Sequence, residues 1–366
     1  EQELEKALRT AAEADVAVIF AGLPEIFESE GYDRTSMKLP QCQDRLIEEV
    51  LKVQPNVVVV LHNGSPVELP WADKVSAILE MYLGGQGVGE ACDRLLYGEA
   101  NPSGRLAETF PYRLEDNPSY LHFPGNGKRV LYGEDIFVGY RYYDTKKVPV
   151  RYAFGHGLSY TEFAYGDLNL SSAQMTDEDI LTVSLKVKNS GKTEGKEVVQ
   201  LYVADLCGIS ERPVKELKGF AKVHLLPGEE KTVSMEISAR DLSYYEERLG
   251  DWYAPSGTYR ILIGHASDDV RLHADIIFET QKELPLCVDF TTTFGELLDH
   301  TKTAPVITEL LAPLAAAAAS AEGMSDEYKK LGEQVIREMP LKSLLGQMPG
   351  EQVEQLIGQL NCLLAQ

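Results

Sequence analysis

Two kinds of hydrophobic pattern follow one another along the chain, and together they limit its fold more than any other feature. Residues 16–21, 57–61 and 77–83 are short, nearly continuous apolar runs, which is typical of strands that are buried on both faces. Helical periodicity separates these runs. The order strand, helix, strand, helix, strand predicts a parallel sheet with helices on both faces, an α/β/α sandwich. Since three strands make a thin sheet, we expect the sandwich to be truncated.

The pattern changes at about Ala164, where apolar and polar residues begin to alternate. Residues 181–187 alternate as a half-buried strand does, and later segments repeat this pattern between glycine-containing turns. Short alternating strands at such spacing predict an antiparallel β-sandwich. After about Thr280 the periodicity becomes helical. The sequence therefore predicts an α/β domain over 1–163, a β-sandwich over 164–280 and a helical C-terminal extension over 281–366.

The last predicted helix has a single apolar face. It is formed by Val353, Leu356, Ile357, Leu360, Leu363 and Leu364. Such a face has to pack against another surface. The rest of the chain can cover it, and so can a second subunit in a homo-oligomer.

The charge of the chain excludes several classes of partner. The sequence holds 35 Lys and Arg against 57 Asp and Glu, a formal net charge of -22. Phosphate backbones and anionic lipids would repel such a chain, so we expect no nucleic-acid partner and no membrane partner. The sequence has no run of about 18 apolar residues that would span a bilayer. An uncharged substrate fits this charge better.

The cysteines and histidines give no sign of a metal site or a cofactor. The five cysteines are far apart and form no C-x-x-C pair, so we interpret them as free thiols. The seven histidines lack the H-x-x-x-H spacing of metal ligands. Free thiols and the lack of a visible signal peptide favour a reducing, cytoplasmic location. Because the chain has no initiator Met, we expect that an upstream part was removed or that this is a piece of a longer protein.

A glycine-rich turn at residues 84–91 has part of the spacing of a phosphate-binding loop. Gly84 and Gly89 are placed as such a loop requires. However, Glu90 stands where a lysine is needed, and Ala91 stands where Ser or Thr would hold magnesium. A carboxylate at that point would repel phosphate. The segment is better explained as a tight turn before a helix.

The segment over residues 25–34, which we call the acidic loop, carries the chemistry that the sequence makes visible. It follows the first predicted strand, and open α/β sheets bind their ligands at the carboxyl ends of their strands. Crowded carboxylates raise one another's pKa, as a general acid near neutral pH requires. Aromatic side chains can stack on a sugar ring. The alternative is a solvated loop in which Asp33 and Arg34 form a surface pair.

Six motifs follow one another over residues 15–163. They are Glu28-Ser29-Glu30-Gly31-Tyr32-Asp33-Arg34, Leu61-His62-Asn63-Gly64-Ser65-Pro66-Val67, Gly84-Gly85-Gln86-Gly87-Val88-Gly89, Gly98-Glu99-Ala100-Asn101-Pro102-Ser103-Gly104-Arg105-Leu106, Phe137-Val138-Gly139-Tyr140-Arg141-Tyr142-Tyr143 and Phe154-Gly155-His156-Gly157-Leu158-Ser159-Tyr160-Thr161. In this order they resemble the C-terminal α/β domain of family-3 glycoside hydrolases, the β-glucosidases. The predicted β-sandwich resembles the fibronectin-III-like domain of that family, so the resemblance extends to about residue 280.

The resemblance implies a hydrolase of carbohydrate metabolism and polysaccharide degradation that uses a retaining mechanism. Such enzymes use two carboxyl groups about 5 Å apart. In the family, the nucleophile is an Asp on a TIM-like barrel that precedes the α/β domain, and nothing in this sequence matches that barrel. A barrel domain from the upstream region, or on a second chain, is therefore an expected partner. We expect this chain alone to be inactive.

The resemblance also assigns roles within the acidic loop. The position that matches the family's general acid/base is Glu30, and Glu28 is the nearby alternative. Tyr32 and Phe27 are the candidates for substrate binding. Asp33 and Arg34 are expected to brace the loop. The expected substrate is a neutral β-glycoside with a terminal β-D-glucosyl residue.

Two other functions stay open at this point. A β-xylosidase or arabinosidase of the same family would use the same chemistry, because the residues that select the sugar lie mostly on the barrel. A non-catalytic carbohydrate-binding or structural module is also compatible with a chain that lacks the nucleophile. Activity of the chain with and without its upstream region would separate these possibilities.

Overall fold

A computed structural model describes residues 1–208, 211–319 and 326–365. Within these ranges the chain divides into two compact units. The first comprises Glu1–Tyr244 and Tyr253–Gln281, and the second comprises Tyr245–Trp252 and the chain from Lys282 onward. The first unit contains both the α/β part and the β-sandwich.

The α/β part is a parallel sheet with its strands in sequence order. Its elements are α1 (Gln2–Glu13), β1 (Ala17–Gly22), α2 (Gln41–Val50), β2 (Val57–His62), β3 (Ala77–Glu80) and α3 (Val88–Leu96). The strand β2 is central and pairs in parallel with β1 and β3. The core between the sheet and its helices includes Ile47, Val59 and Trp71, which are fully buried. Val59 belongs to a predicted apolar run and Ile47 to a helix with apolar periodicity, whereas Trp71 lies outside the predicted elements.

Two details of the sheet differ from the sequence expectations. The strand β1 is not buried on both faces, because Val18 and Phe20 are 41% and 60% exposed. It lies at the edge of the sheet, and only its Ile19 and Ala21 face is buried. The strand β3 ends at Glu80 rather than at residue 83. The reason is Tyr82, whose φ of +50° is incompatible with an extended strand.

Residues 97–162 are largely irregular, as their glycine and proline content suggests. They contain β4 (Phe110–Pro111), α4 (Tyr140–Lys146) and β5 (Val150–Tyr152), and β4 pairs with β5 in antiparallel fashion. Many large apolar side chains of this region are exposed, above all between residues 120 and 138.

The β-sandwich follows directly. Its elements are β6 (Phe163–Leu170), β7 (Gln174–Thr176), β8 (Ile180–Asn189), β9 (Gly195–Asp205), β10 (Glu216–Leu225), β11 (Glu230–Ser238), α5 (Ala239–Leu242), β14 (Gly257–Ala266) and β15 (Asp269–Glu279). Between α5 and β14 the chain forms β12 (Tyr244–Glu246) and β13 (Asp251–Tyr253), and most of their residues belong to the second unit. One sheet has the order β10-β9-β14-β15-β7, the other has the order β11-β8-β6, and β12 and β13 form a hairpin. All pairs in the two large sheets are antiparallel except β15 with β7. Alternate residues such as Leu181, Val183 and Leu185 fill the core.

A buried ionic cluster joins the α/β part to the sandwich inside the first unit. Arg105 Nη2 contacts both carboxylate oxygens of Glu197 at 2.9 and 3.0 Å. The Tyr165 hydroxyl donates to Glu197 Oε1 at 2.9 Å, and His265 Nδ1 lies 2.9 Å from the same Oε1. The Glu197 side chain is 0% exposed and that of Arg105 is 7% exposed. Four groups thus meet where water is excluded.

Apart from the residues of β12 and β13, the described part of the second unit is helical. Its helices are α6 (Phe294–Asp299), α7 (Ala304–Ala319), α8 (Asp326–Glu338) and α9 (Gly350–Leu364). On the predicted apolar face of α9, Val353 and Leu360 are buried in one cluster with Phe294 and Leu297 of α6, so this chain itself covers the face. Of the helices that the structure describes, none has the length and apolar character needed to cross a bilayer. The predicted fold class, a parallel-sheet α/β part, a fibronectin-III-like sandwich and C-terminal helices, is confirmed.

Candidate active-site loop

The acidic loop begins at the carboxyl end of β1. The Gln43 side chain closes this strand end, because it accepts a hydrogen bond from Gly22 N at 2.9 Å and donates one to Gly22 O at 3.0 Å. Leu23 N then donates to His62 O at the end of β2. Pro24 O accepts hydrogen bonds from Phe27 N and Glu28 N, which forms a tight turn. The loop therefore starts from a fixed point on the sheet.

Glu28 is held by the turn that follows β2. Its Oε2 accepts a hydrogen bond from Gly64 N at 2.6 Å, and its Oε1 accepts one from the Ser65 hydroxyl at 2.6 Å. Arg34 Nη1 lies 3.4 Å from the same Oε1. Both carboxylate oxygens of Glu28 are thus occupied by groups that hold the loop on the sheet.

Arg34 completes this arrangement. Its Nη1 donates to Ser65 Oγ at 2.5 Å, and its Nη2 donates to Pro66 O at 3.3 Å. Burial lowers the pKa of the Arg34 guanidinium, while the neighbouring Glu28 opposes the shift. Arg34 therefore lies across the base of the loop, and Asp33 beside it is exposed. The partners of Arg34 are Glu28 and the residues after β2, and not Asp33.

The tip of the loop carries the other predicted site residues. Glu30 is exposed, and Gly31 directly after it has φ +88°, a conformation that favours glycine. Phe27 and Tyr32 are 45% and 49% exposed, and the Tyr32 hydroxyl donates to Glu25 O. The structure thus separates the two candidate glutamates, because Glu28 is bonded within the base while Glu30 stands at the tip.

Two carboxyl groups near the loop were not singled out from the sequence. Burial raises the pKa of Glu80 to about 7, although hydrogen bonds from Tyr82 N and Asn63 oppose the shift. Burial also raises the pKa of Glu108, and the charge of Glu28 adds to this effect. The only signal for Glu80 in the sequence is a carboxylate within an apolar run.

A cavity of about 550 Å³ adjoins the base of the loop. Its lining includes Arg34 and Ser65 of the loop base together with Glu108, Asn117 and Tyr140. Among the described residues, no three His, Cys, Asp or Glu side chains lie together where they could hold a metal ion.

Comparison with protein families identifies both parts of the first unit. Residues 1–160 match the glycosyl hydrolase family 3 C-terminal domain, and residues 197–267 match a fibronectin type III-like domain. The thermostable β-glucosidase B of Acetivibrio thermocellus is 46% identical over 99% of this chain, which covers 48% of that protein. The chain thus spans about half the length of this relative, and it spans 33% of the β-glucosidase of Kluyveromyces marxianus.

Solved structures give the same result. A GH3 β-glucosidase from Bifidobacterium adolescentis aligns with a TM-score of 0.76 and 39% identity, over 83% of this chain and 45% of that one. The K. marxianus β-glucosidase in complex with glucose aligns with a TM-score of 0.72 and 44% identity, over 76% of this chain and 33% of that one. From the fold, the motif-bearing loop and these similarities together, the chain belongs to glycoside hydrolase family 3, of which it holds the C-terminal and fibronectin type III-like domains.

Proposed function

We propose that this chain is the acid/base part of a retaining β-glucosidase that hydrolyses terminal β-D-glucosyl residues. The observation that carries the proposal is the exposed Glu30 on a braced loop at the carboxyl end of a parallel sheet. The names of the relatives support the same substrate, and the K. marxianus relative was crystallised with glucose.

Within this proposal, Glu30 is the general acid/base. Such a group has to approach the glycosidic oxygen, give it a proton and then accept one from water. An exposed carboxyl at the loop tip has room to do this. Glu28 is less suited, since Gly64, Ser65 and Arg34 already occupy its oxygens. Phe27 and Tyr32 would contact the leaving group, and Arg34 would keep the loop in place through Glu28, Ser65 and Pro66; the bracing role expected of Asp33 has no contact among the described residues to support it.

The retaining mechanism needs a second carboxylate about 5 Å from the first. We propose that a barrel domain supplies it, either from an upstream region or on a second chain. Support comes from the relatives, which are at least twice as long as the part that this chain matches. The apolar segment 120–138 offers a surface for such a domain, because Leu121, Leu131 and Tyr132 are highly exposed there. Pro118, Ser119 and Val138, at or near the ends of this segment, line the same cavity as Arg34.

The test compares the chain alone with the protein in which the upstream region is restored. We expect no hydrolysis of an aryl β-glucoside by the chain alone and clear hydrolysis by the longer protein. An aryl β-xyloside assayed in parallel checks the sugar. Turnover by the purified chain alone would contradict the proposed division of the site, and faster hydrolysis of the xyloside would contradict the proposed sugar.

The role of Glu30 is tested in the longer protein. Glu30→Ala should slow cellobiose hydrolysis far more than hydrolysis of a dinitrophenyl glucoside, because a good leaving group needs no proton. Azide, which needs no general base, should restore turnover of the activated substrate. Glu28→Ala is the matched control: it loosens the loop, so its leaving-group dependence should be weaker, and azide should not rescue it because Glu30 is still present as the base. If Glu28→Ala shows the leaving-group dependence and azide rescue instead, the assignment of Glu30 is wrong.

A further inference from the structure

Glu80 lies beneath the turn that holds the acidic loop. It is the last residue of β3, and its side chain is partly buried. Oε1 accepts a hydrogen bond from Tyr82 N at 2.8 Å, and Oε2 accepts one from Asn63 Nδ2 at 3.2 Å. The positive φ of Tyr82 ends the strand at this point. The carboxyl is therefore fixed between the end of β3 and the residue that follows β2.

Asn63 connects this carboxyl to the turn over residues 63–66. It is fully buried, and its Nδ2 donates to Ser65 O at 3.0 Å as well as to Glu80. The same turn supplies the Gly64 N–H group and the Ser65 hydroxyl to Glu28. A continuous path of hydrogen bonds thus runs from Glu80 through Asn63 and the turn to Glu28.

The turn has little freedom to shift if this path is broken. A methyl group at Gly64 would lie 3.1 Å from Glu28 Oε2 and 3.2 Å from Leu83 Cδ1, so the turn is closely packed on both sides. Arg34 bonds Ser65 Oγ and Pro66 O from the loop side. A displacement of Asn63 would therefore be passed on to both residues that brace the loop.

The charged surroundings of Glu80 come from the same network. Glu28 is the carboxylate whose charge acts on Glu80, and Arg34 pairs with Glu28. The Tyr82 phenol faces both Glu80 and Glu108, and burial together with these charges raises its pKa to about 12. Since the pKa of Glu80 is raised to about 7, its charge changes near neutral pH. Deprotonation adds a second negative charge close to Glu28.

We propose that Glu80 is a positioning residue for the acidic loop, acting through Asn63 and the 63–66 turn on Glu28 and Arg34. It does not touch the substrate. Its effect on the reaction is to keep Glu30 where the leaving group departs, so the inference rests on the function proposed above. A misplacement of about 1 Å in a reacting group can lower a rate by about a hundredfold.

The test uses Glu80→Leu and Glu80→Gln in the longer protein, with Glu13→Leu as a control at an exposed position on α1. Glu80→Leu should lower kcat/KM for cellobiose about tenfold or more while changing kcat/KM for the dinitrophenyl glucoside little, because kcat/KM reports the step in which the leaving group is protonated. Glu80→Gln can accept from only one of the two donors, Tyr82 N and Asn63 Nδ2, so its loss of cellobiose activity should lie between those of the wild type and Glu80→Leu. Equal losses on both substrates, or no loss, would overturn the positioning role.

A second measurement applies to the chain itself and does not depend on activity. Hydrogen exchange in Glu80→Leu should accelerate over residues 24–36 and 62–68 and stay unchanged over residues 181–187 of the sandwich. Acceleration over β1 and β2 to the same extent would mean general destabilisation and would refute a local role. Glu30→Ala is assayed in parallel. If it lacks the leaving-group dependence, the proposed function fails; if it alone shows that dependence, only the role of Glu80 fails.

Discussion

Replacing Arg105 with methionine removes one partner of the buried ionic cluster that joins the α/β part to the sandwich. Methionine fills a similar volume and carries no charge. Glu197 then keeps two hydrogen-bonding neighbours, Tyr165 and His265. Because its side chain is 0% exposed, water cannot replace the lost guanidinium. The variant therefore leaves a buried carboxylate with incomplete compensation.

The expected cost follows from this geometry. Breaking a buried ion pair by removing one partner costs about 3–5 kcal/mol. Since two neighbours of Glu197 remain, we expect the lower end, about 3 kcal/mol. At roughly 2–4 °C per kcal/mol for a unit of this size, Tm should fall by about 6–12 °C. The exposed pair of Arg260 with Asp275 gives the control, and Arg260→Met should cost less than about 1 kcal/mol.

The contribution of Glu197 to the free energy of unfolding should also change its direction with pH in Arg105→Met. In the native protein burial alone would raise the pKa of Glu197, yet His265 and Arg105 hold it below its usual range. Stability from this group is thus present above the ordinary carboxyl pKa and is lost as the pH falls. Without Arg105, less positive charge opposes the effect of burial, so the protonated form of Glu197 is favoured. The loss caused by Arg105→Met should therefore be larger at pH 8 than at pH 5.

The assay is urea unfolding followed by the fluorescence of Trp71, which lies in the core of the first unit. A Trp252→Phe background removes the only other tryptophan. The double variant Arg105→Met with Glu197→Gln should regain at least half of the lost free energy, because the unpaired charge is gone. An Arg105→Met variant no less stable than the Arg260→Met control at pH 8 would refute this reasoning.

Three further outcomes are expected. Gly31→Ala should lower kcat for cellobiose in the longer protein, because an alanine at φ +88° costs roughly 1 kcal/mol and shifts the loop tip; kcat unchanged within twofold would contradict this. Thr293→Ala removes the capping box at α6 and should destabilise the second unit by about 1 kcal/mol, measured by hydrogen exchange over residues 294–299. In the wild-type chain, the contribution of Glu80 to stability should fall as the pH rises from about 4.5 to about 7, by up to roughly 3 kcal/mol. This fall should be absent from urea titrations of Glu80→Gln.

Much of the fold could be predicted because its signals are local. Apolar runs separated by helical periodicity indicate a parallel sheet wherever they occur, and β1, β2 and β3 lie where the runs predict. Alternation from about residue 164 likewise indicates the sandwich strands. After residues 181–187, the alternating segments predicted from the sequence are 198–203, 231–237, 259–263 and 272–278. The strand β10 (Glu216–Leu225) is not among them, and most of its residues are only partly buried or exposed. The exposed face of β1 was missed because periodicity reports which residues are apolar and not what covers them.

The candidate site, like the fold, was predicted in part from the sequence and in part was visible only in the structure. The sequence placed the acidic loop after the first strand, and the resemblance pointed to two glutamates within it. The sequence itself offered no physical criterion to separate Glu28 from Glu30, because the two residues lie only two positions apart in one loop. The difference comes from Gly64 and Ser65, which are more than 30 residues away in the chain. Glu80 was overlooked for a related reason, because its partners Asn63 and Tyr82 are assembled only when β2 and β3 pair.

The sequence by itself determined the order of the domains, the parallel sheet, the loop at its carboxyl edge and the family to which the motifs belong. These features depend on local periodicity and on residues adjacent in the chain. Only the tertiary structure decided which carboxylates of the site are bonded and which is exposed, and which charges are buried between the two parts of the first unit. Those properties depend on hydrogen-bond partners and on loss of solvent, and both are set by contacts between residues far apart in the chain.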